Sequence, residues 1–189
     1  MITEQDILQK IRDDLYLTGK QKVMDFLPEN QNALFVGKFR IPTKAHINMI
    51  ETALKEFNKV VICIVKAKKN PKQSLSLETQ EKIFETIFGN KVSIITHSSG
   101  NLTSIINKSP KKIRFLLAGT DRIVGYKKQL ERFPNINLVE TTRDENSDEN
   151  ISATKLIKYI EDDNISQFKK LTHKKMWSMF DNIKKELND

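Results

Sequence analysis

Residues 33–54 read ALFVGKFRIPTKAHINMIETAL. The stretch opens on four apolar residues of strand character. It ends in a segment whose Ile47, Ile50 and Leu54, continued by Phe57, recur at helical spacing and form one apolar stripe. Between the two lie Gly37, Pro42, the basic Lys38 and Arg40, Thr43 and His46, one of only three histidines in the chain. A buried strand turning into an amphipathic helix is the first half of a βαβ unit.

The same alternation continues outward. Short runs at 33–36, 59–65, 91–96, 113–118 and 136–140 are apolar on successive residues, as strands covered on both faces require. Helix-period segments separate them: KAHINMIETALKEF, SLETQEKIFETIF, NLTSIINK and RIVGYKKQLERF. The pattern predicts an α/β fold, a Rossmann-like doubly wound parallel five-stranded sheet with helical N- and C-terminal extensions. Residues 1–30 are expected as the helical N-terminal extension, 31–162 as the α/β domain, and 163–189 as C-terminal helices docked on it. In the last of these helices Met176, Phe180 and Ile183 share one side, while TTRDENSDEN (141–150) reads as a polar loop.

The chain has 189 residues, 38% of them hydrophobic, enough for one ordinary domain with a real core. Its single cysteine, Cys63, excludes an intramolecular disulfide framework and a cysteine-rich metal site, and inside VVICIV it reads as a buried, inert thiol. No apolar segment nears the roughly 20 residues needed to cross a bilayer. The N-terminus MITEQDILQKIRDDLYL carries acids and lacks the apolar core of a secretory signal. A cytoplasmic protein with no membrane partner is the expectation. Net charge is +8, from 32 Lys+Arg against 24 Asp+Glu, which favours polyanionic partners. The lysines are scattered, and the aromatic-studded sheet or recognition-helix patterns of nucleic-acid binders are missing, which leaves phosphorylated small molecules ahead of nucleic acid.

In open parallel sheets, ligands bind beyond the carboxyl ends of the strands. Four of the five such places carry chemistry-bearing residues. In GKFRIPTKAH, Gly37 permits a tight turn and close approach of a phosphate, and Thr43 occupies an N-cap position. His46 falls on the first helical turn, where it can give a charged hydrogen bond to phosphoryl oxygens. Lys38, Phe39 and Arg40 share this loop and join it as candidates for substrate binding. The same peptide serves equally as a capped corner with a solvated histidine. It is neither a P-loop nor a dinucleotide fingerprint, since GxxxxGK[ST] and GxGxxG are both absent.

KAKKNPKQ (66–73) gathers Lys66, Lys68, Lys69 and Lys72, with Lys72 the first candidate for substrate contact and a solvated loop the alternative. In LLAGTDR, Gly119 permits close approach, Asp121 can accept from a ribose or base, and Arg122 adds a cation; Asp121 as a simple helix N-cap is the competing reading. NISATKLIK (150–158) opens a helix with two hydroxyls, Ser152 and Thr154, beside free amides and the positive dipole end. Lys155 and Lys158 add charge, and capping alone accounts only for Ser152.

Together these residues resemble the nucleotidyltransferase superfamily of the (H/T)xGH type, which includes nicotinamide mononucleotide (NMN) adenylyltransferases, phosphopantetheine adenylyltransferases and small cytidylyltransferases. Its GxFxPx(H/T)xGH signature is matched by Gly37, Phe39, Thr43 and His46, and its ISxTxxR signature by Ile151, Ser152 and Thr154. AGTDR is similar to the glycine-x-aspartate turn several members place after the fourth strand. The resemblance covers roughly residues 32–160. Three departures stand out: Ala45 replaces glycine, Pro42 comes one place late, and Ile157 replaces the arginine. Lys155, Lys158 or Arg40 remains to supply that charge, and an arginine restored at 157 tests whether the slot still faces the phosphates.

The resemblance implies transfer of a nucleotidyl group from a nucleoside triphosphate to a phosphorylated acceptor, with release of pyrophosphate. It implies His46 and Thr43 at the reacting phosphates and Ser152 and Thr154 at the outer ones. Gly119 and Asp121 then contact the nucleotide, and Mg2+ is held mainly through the ATP phosphates. Threonine at 43 leans towards ATP, with NMN first among acceptors and phosphopantetheine second; cytidylyl transfer stays open. Homo-oligomerisation stays open too. A nucleotide sensor without turnover and a nucleic-acid-binding protein are the readings from other classes.

Overall fold

The computed structural model describes residues 32–66, 74–110, 112–141 and 152–188; the expected N-terminal extension, Lys72 and its neighbours, and the acidic loop lie outside them. Five parallel strands form one sheet in the order β3-β2-β1-β4-β5: β1 Asn32–Gly37, β2 Lys59–Val65, β3 Val92–His97, β4 Ile113–Gly119 and β5 Asn137–Thr141. The fold is the doubly wound Rossmann-like one expected. Relative to the sequence reading, β3 and β5 are displaced one residue towards the carboxyl end. β1 and β4 run on to Gly37 and Gly119 because both glycines keep ladder partners, Ile64 and Thr141.

The chain winds outward from β1 through α1 (Lys44–Glu56), β2 and α2 (Leu77–Phe88) to β3. It then returns through α3 (Leu102–Lys108) to lay β4 on the other side of β1, and α4 (Thr120–Leu130) leads to β5. The winding direction therefore reverses between β1 and β4. Such a switch point opens a crevice at the carboxyl ends of the two strands, the place where these sheets take ligands.

Residues of the central strands pack alternately on the two faces. Ala33, Phe35, Ile62 and Ile64 meet Ile47 and Ile50 of α1 and Ile83 and Phe84 of α2. Leu34, Val61, Cys63 and Leu116 meet Leu102 and Ile105 of α3 and Tyr126 and Leu130 of α4. Leu54 and Phe57 pack against the first of these clusters, as the periodicity predicts. Cys63 is buried as expected, and burial pushes its thiol pKa up to about 12.

Beyond β5 come α5 (Ala153–Glu161), α6 (Ile165–Leu171), a 3-10 turn at Lys174–Met179 and α7 (Phe180–Asn188). Met176, expected in the last helix, sits in the 3-10 turn, but it is buried with Phe180 and Ile183 all the same. Phe168, Met176, Ile183 and Leu187 join the cluster that holds Phe84 and Ile62. This segment also grips α2 at both ends. Lys175 Nζ donates to the terminal carbonyls of Thr86 and Ile87 at 2.9 and 2.8 Å. The Glu186 carboxylate accepts from the Ser76 amide and from Thr79 Oγ1 at the first turn. Both charges oppose the helix dipole.

Candidate active site

The carboxyl end of β1 is shaped by a ring rather than left open. Phe39 adopts φ 41°, a left-handed conformation uncommon outside glycine, and turns its ring back over Gly37. A Cβ at residue 37 would lie 2.7 Å from Phe39 Cζ. Gly37 is thus needed for the phenyl group, whereas the sequence suggested room for a phosphate. The Phe39 ring is buried against Phe35 and Phe84, with centroids 5.1 Å away in each case. That burial makes Phe39 the wedge that sets the loop.

The wedge also fixes His46. Its ring stands edge-on to Phe39 at 5.3 Å, one helical turn inside α1. Thr43, only 1% exposed, is the N-cap of α1, and its backbone N–H donates to His46 Nδ1 at 3.2 Å, with Thr43 Oγ1 2.9 Å from the same nitrogen. The two residues make a reciprocal capping box. These contacts fix the orientation of the imidazole at the start of α1.

Arg40 spans the gap between the two sequence motifs. Its Nη2 donates to Thr154 Oγ1 at 2.7 Å, across 114 residues of chain. Its carbonyl accepts from the Leu75 amide at 2.9 Å, which anchors the loop to the segment entering α2. Lys38 is exposed on the same loop. On the other side of the crevice, Ser152 caps α5 by accepting from the Lys155 amide at 3.3 Å, and Thr154 and Lys155 are exposed on its first turn. The first and last motifs therefore meet at one edge.

Ile157 settles differently from its place in the motif. It is 4% exposed and lies with Leu156 and Ile160 in the apolar cluster shared with α2. The slot the family fills with arginine faces the core here, and the guanidinium at this edge comes from Arg40 instead.

Gly119 ends β4 and is the N-cap of α4, which places Asp121 inside the first turn. The competing reading of Asp121 as the N-cap is thereby overturned. Arg122 is exposed on the same turn. One group at this edge was missed by the sequence reading. His97 ends β3, is 9% exposed, and brings Nε2 to 2.9 Å from Ser104 Oγ and Nδ1 to 2.7 Å from the Ser99 carbonyl. Its backbone carbonyl takes the amide of Lys66, where β2 ends. A histidine closing an apolar run was the signal available.

With this geometry in place, comparison with known proteins becomes informative. Residues 34–159 match the cytidylyltransferase-like family. The chain belongs to that family. The match spans the stretch from β1 to α5 and contains both motifs. No curated protein matches it by sequence. Among solved structures it is similar to a bifunctional NMN adenylyltransferase/ADP ribose pyrophosphatase from Francisella tularensis, at 16% identity and TM-score 0.62, over 81% of this chain and 49% of that one. The chain thus spans about half the length of that bifunctional protein. It is also similar to the Plasmodium falciparum nicotinic acid mononucleotide adenylyltransferase complexed with NaAD, at 16% identity and TM-score 0.58, over 83% of this chain and 98% of that one. At such identities the likeness speaks for the fold.

No helix among the described residues is long and apolar enough to cross a membrane. Two surface clefts, of ≈ 470 and ≈ 420 Å³, open away from the crevice described above. The motif residues of the first loop and of α5 converge at the crevice, and neither cleft is lined by them.

Proposed function

We propose that the protein transfers AMP from ATP to a phosphate-bearing small molecule, nicotinamide mononucleotide or its acid form first, and releases pyrophosphate. The observation that carries this reading is the Arg40–Thr154 hydrogen bond, which draws the histidine motif and the serine–threonine motif to one edge of the switch point.

An acceptor phosphate is already an anion at neutral pH and needs no general base. One of its oxygens attacks the α-phosphorus of ATP, the α–β bridging bond breaks, and its electron pair leaves on pyrophosphate. Catalysis then consists of in-line positioning and of donors aimed at the charge that builds on the phosphoryl oxygens. His46 and the amides of the first turn of α1 donate near the α-phosphate. Ser152, Thr154, Lys155 and the amides opening α5 take the β- and γ-phosphates. Arg40 sits between the two sets as the fixed cation. Gly119 and Asp121 border the nucleoside, and Lys38 and Arg122 supply charge at the mouth.

The donor set is hydroxyls, amides and cations. Among the described residues no three His, Cys, Asp or Glu side chains gather as a metal cage. These residues would fit a Mg2+ brought by the nucleotide, which would supply charge neutralisation at the phosphates. The similar structures are named for NMN and nicotinic acid mononucleotide adenylyltransferases, and a pyridine mononucleotide acceptor with ATP is consistent with that likeness.

Buried Ile157 favours one second reading, a nucleotide sensor that binds ATP without turnover. Pyrophosphate release separates the two when ATP or CTP is offered with NMN, its acid form or phosphopantetheine. Release with ATP and a pyridine mononucleotide is the expected result. Tight ATP binding with no release from any pair would establish the sensor instead.

A further inference from the structure

β4 opens on an irregularity. Asn32 of β1 faces Ile113, but the next residue, Ala33, faces Phe115. Arg114 is therefore an extra residue in the strand, a bulge in a parallel ladder, and bulges re-aim side chains. Half-buried Arg114 lines the cleft of ≈ 420 Å³ where β4 begins. From Ile113 to Gly119 the strand rises roughly 20 Å at about 3.3 Å per residue, so this cleft and the catalytic crevice lie at opposite ends of one strand.

Lys112 and Arg132 line the cleft as well, and among the described residues no acidic side chain does. Among the described residues none of these three cations is ion-paired. Their backbone is held in place. Buried Asn32 donates from Nδ2 to the Lys112 carbonyl at 3.0 Å, and the turn after α4 is closed by Phe133 N–H to Leu130 O at 2.7 Å and Ile136 N–H to Phe133 O at 3.0 Å. Half-buried Phe133 and exposed Pro110 and Pro134 line the cleft too, together with the polar Ser109 and Asn135.

Three like charges around one recess repel one another, and an anion between them relieves that repulsion. Guanidinium forks suit phosphate oxygens, and Phe133 suits the face of a planar ring. The volume falls in the range of about 300–1,000 Å³ typical of small-molecule sites. We propose that this cleft is a second nucleotide site, which takes the phosphate of a free mononucleotide on Lys112, Arg114 and Arg132 and its base against Phe133. It stands on binding alone and is independent of which acceptor the catalytic edge uses.

Photolabelling of the full chain with 8-azido-AMP, followed by peptide mapping, tests the proposal. Saturable labelling of the segment around Phe133 is expected. It should fall at least tenfold in Lys112→Glu/Arg132→Glu, whose side chains are exposed and whose urea melt therefore stays at the wild-type midpoint. Arg114→Gln should lower it as well, and His46→Ala should leave it unchanged. Labelling that does not saturate, or that survives in both charge variants, would overturn the proposal. So would a decaadenylate that binds this cleft when AMP does not, which would make the ligand nucleic acid.

Discussion

At residue scale, the His46 ring is held by its neighbours: the Thr43 amide meets Nδ1, and Phe39 holds the ring plane. His46→Ala is expected to lower kcat by about 10²-fold, the usual loss when one preorganised donor to a transition-state oxyanion is removed. It also breaks the capping box, at about 1 kcal/mol in urea denaturation. Gly37→Ala tests the wedge. With Phe39 Cζ 2.7 Å from the new methyl group, the variant should lose about 1–3 kcal/mol of stability. Unchanged stability would mean the ring moves aside freely. Cys63 gives a pH signature. Its thiol pKa rises from 9.0 to about 12 on folding, so the unfolded chain releases its proton first. Stability should therefore be unaffected by this group below about pH 9 and fall as pH climbs from there towards 12. Urea midpoints of the wild type and Cys63→Ala across that window check the sign.

At the scale of elements, α5 shows where sequence and structure part. Its caps and hydroxyls were legible, because Ser152 and Thr154 at a helix start are a local pattern. The burial of Ile157 was in principle legible too, since Ala153, Leu156, Ile157 and Ile160 form an inward stripe. The family pattern drew attention to the missing arginine rather than to that stripe. Ile157→Arg is accordingly expected to destabilise by about 2 kcal/mol or more, by forcing a guanidinium into an apolar core, with no gain in turnover. The Arg40–Thr154 contact was not legible, because no spacing rule joins residues 114 apart. Nor was the bulge at Arg114, which exists only in the pairing of β4 with β1. The strands were read almost whole because doubly covered strands are continuous apolar runs. The C-terminal clamp offers a further check on element docking. Lys175→Met removes both hydrogen bonds at the end of α2 and should cost about 1–2 kcal/mol by the same denaturation measurement.

At the scale of the whole molecule, topology explains why four distant segments matter together. The reversal between β1 and β4 brings the loop after β1 and the turn after β4 to one crevice, and the first turn of α5 meets the β1 loop through Arg40 and Thr154. Gly37 and Gly119, the two strand-ending glycines, mark its floor. A basic chain of net charge +8 adds a field that draws triphosphates in, so KM for ATP should rise with ionic strength. The most direct test is a crystal structure with the non-hydrolysable analogue α,β-methylene-ATP. The expected density puts the triphosphate between His46 on α1 and Ser152 and Thr154 on α5, within hydrogen-bonding distance of Arg40. Triphosphate density away from both motifs, with this crevice left to solvent, would contradict the nucleotidyltransferase site described here.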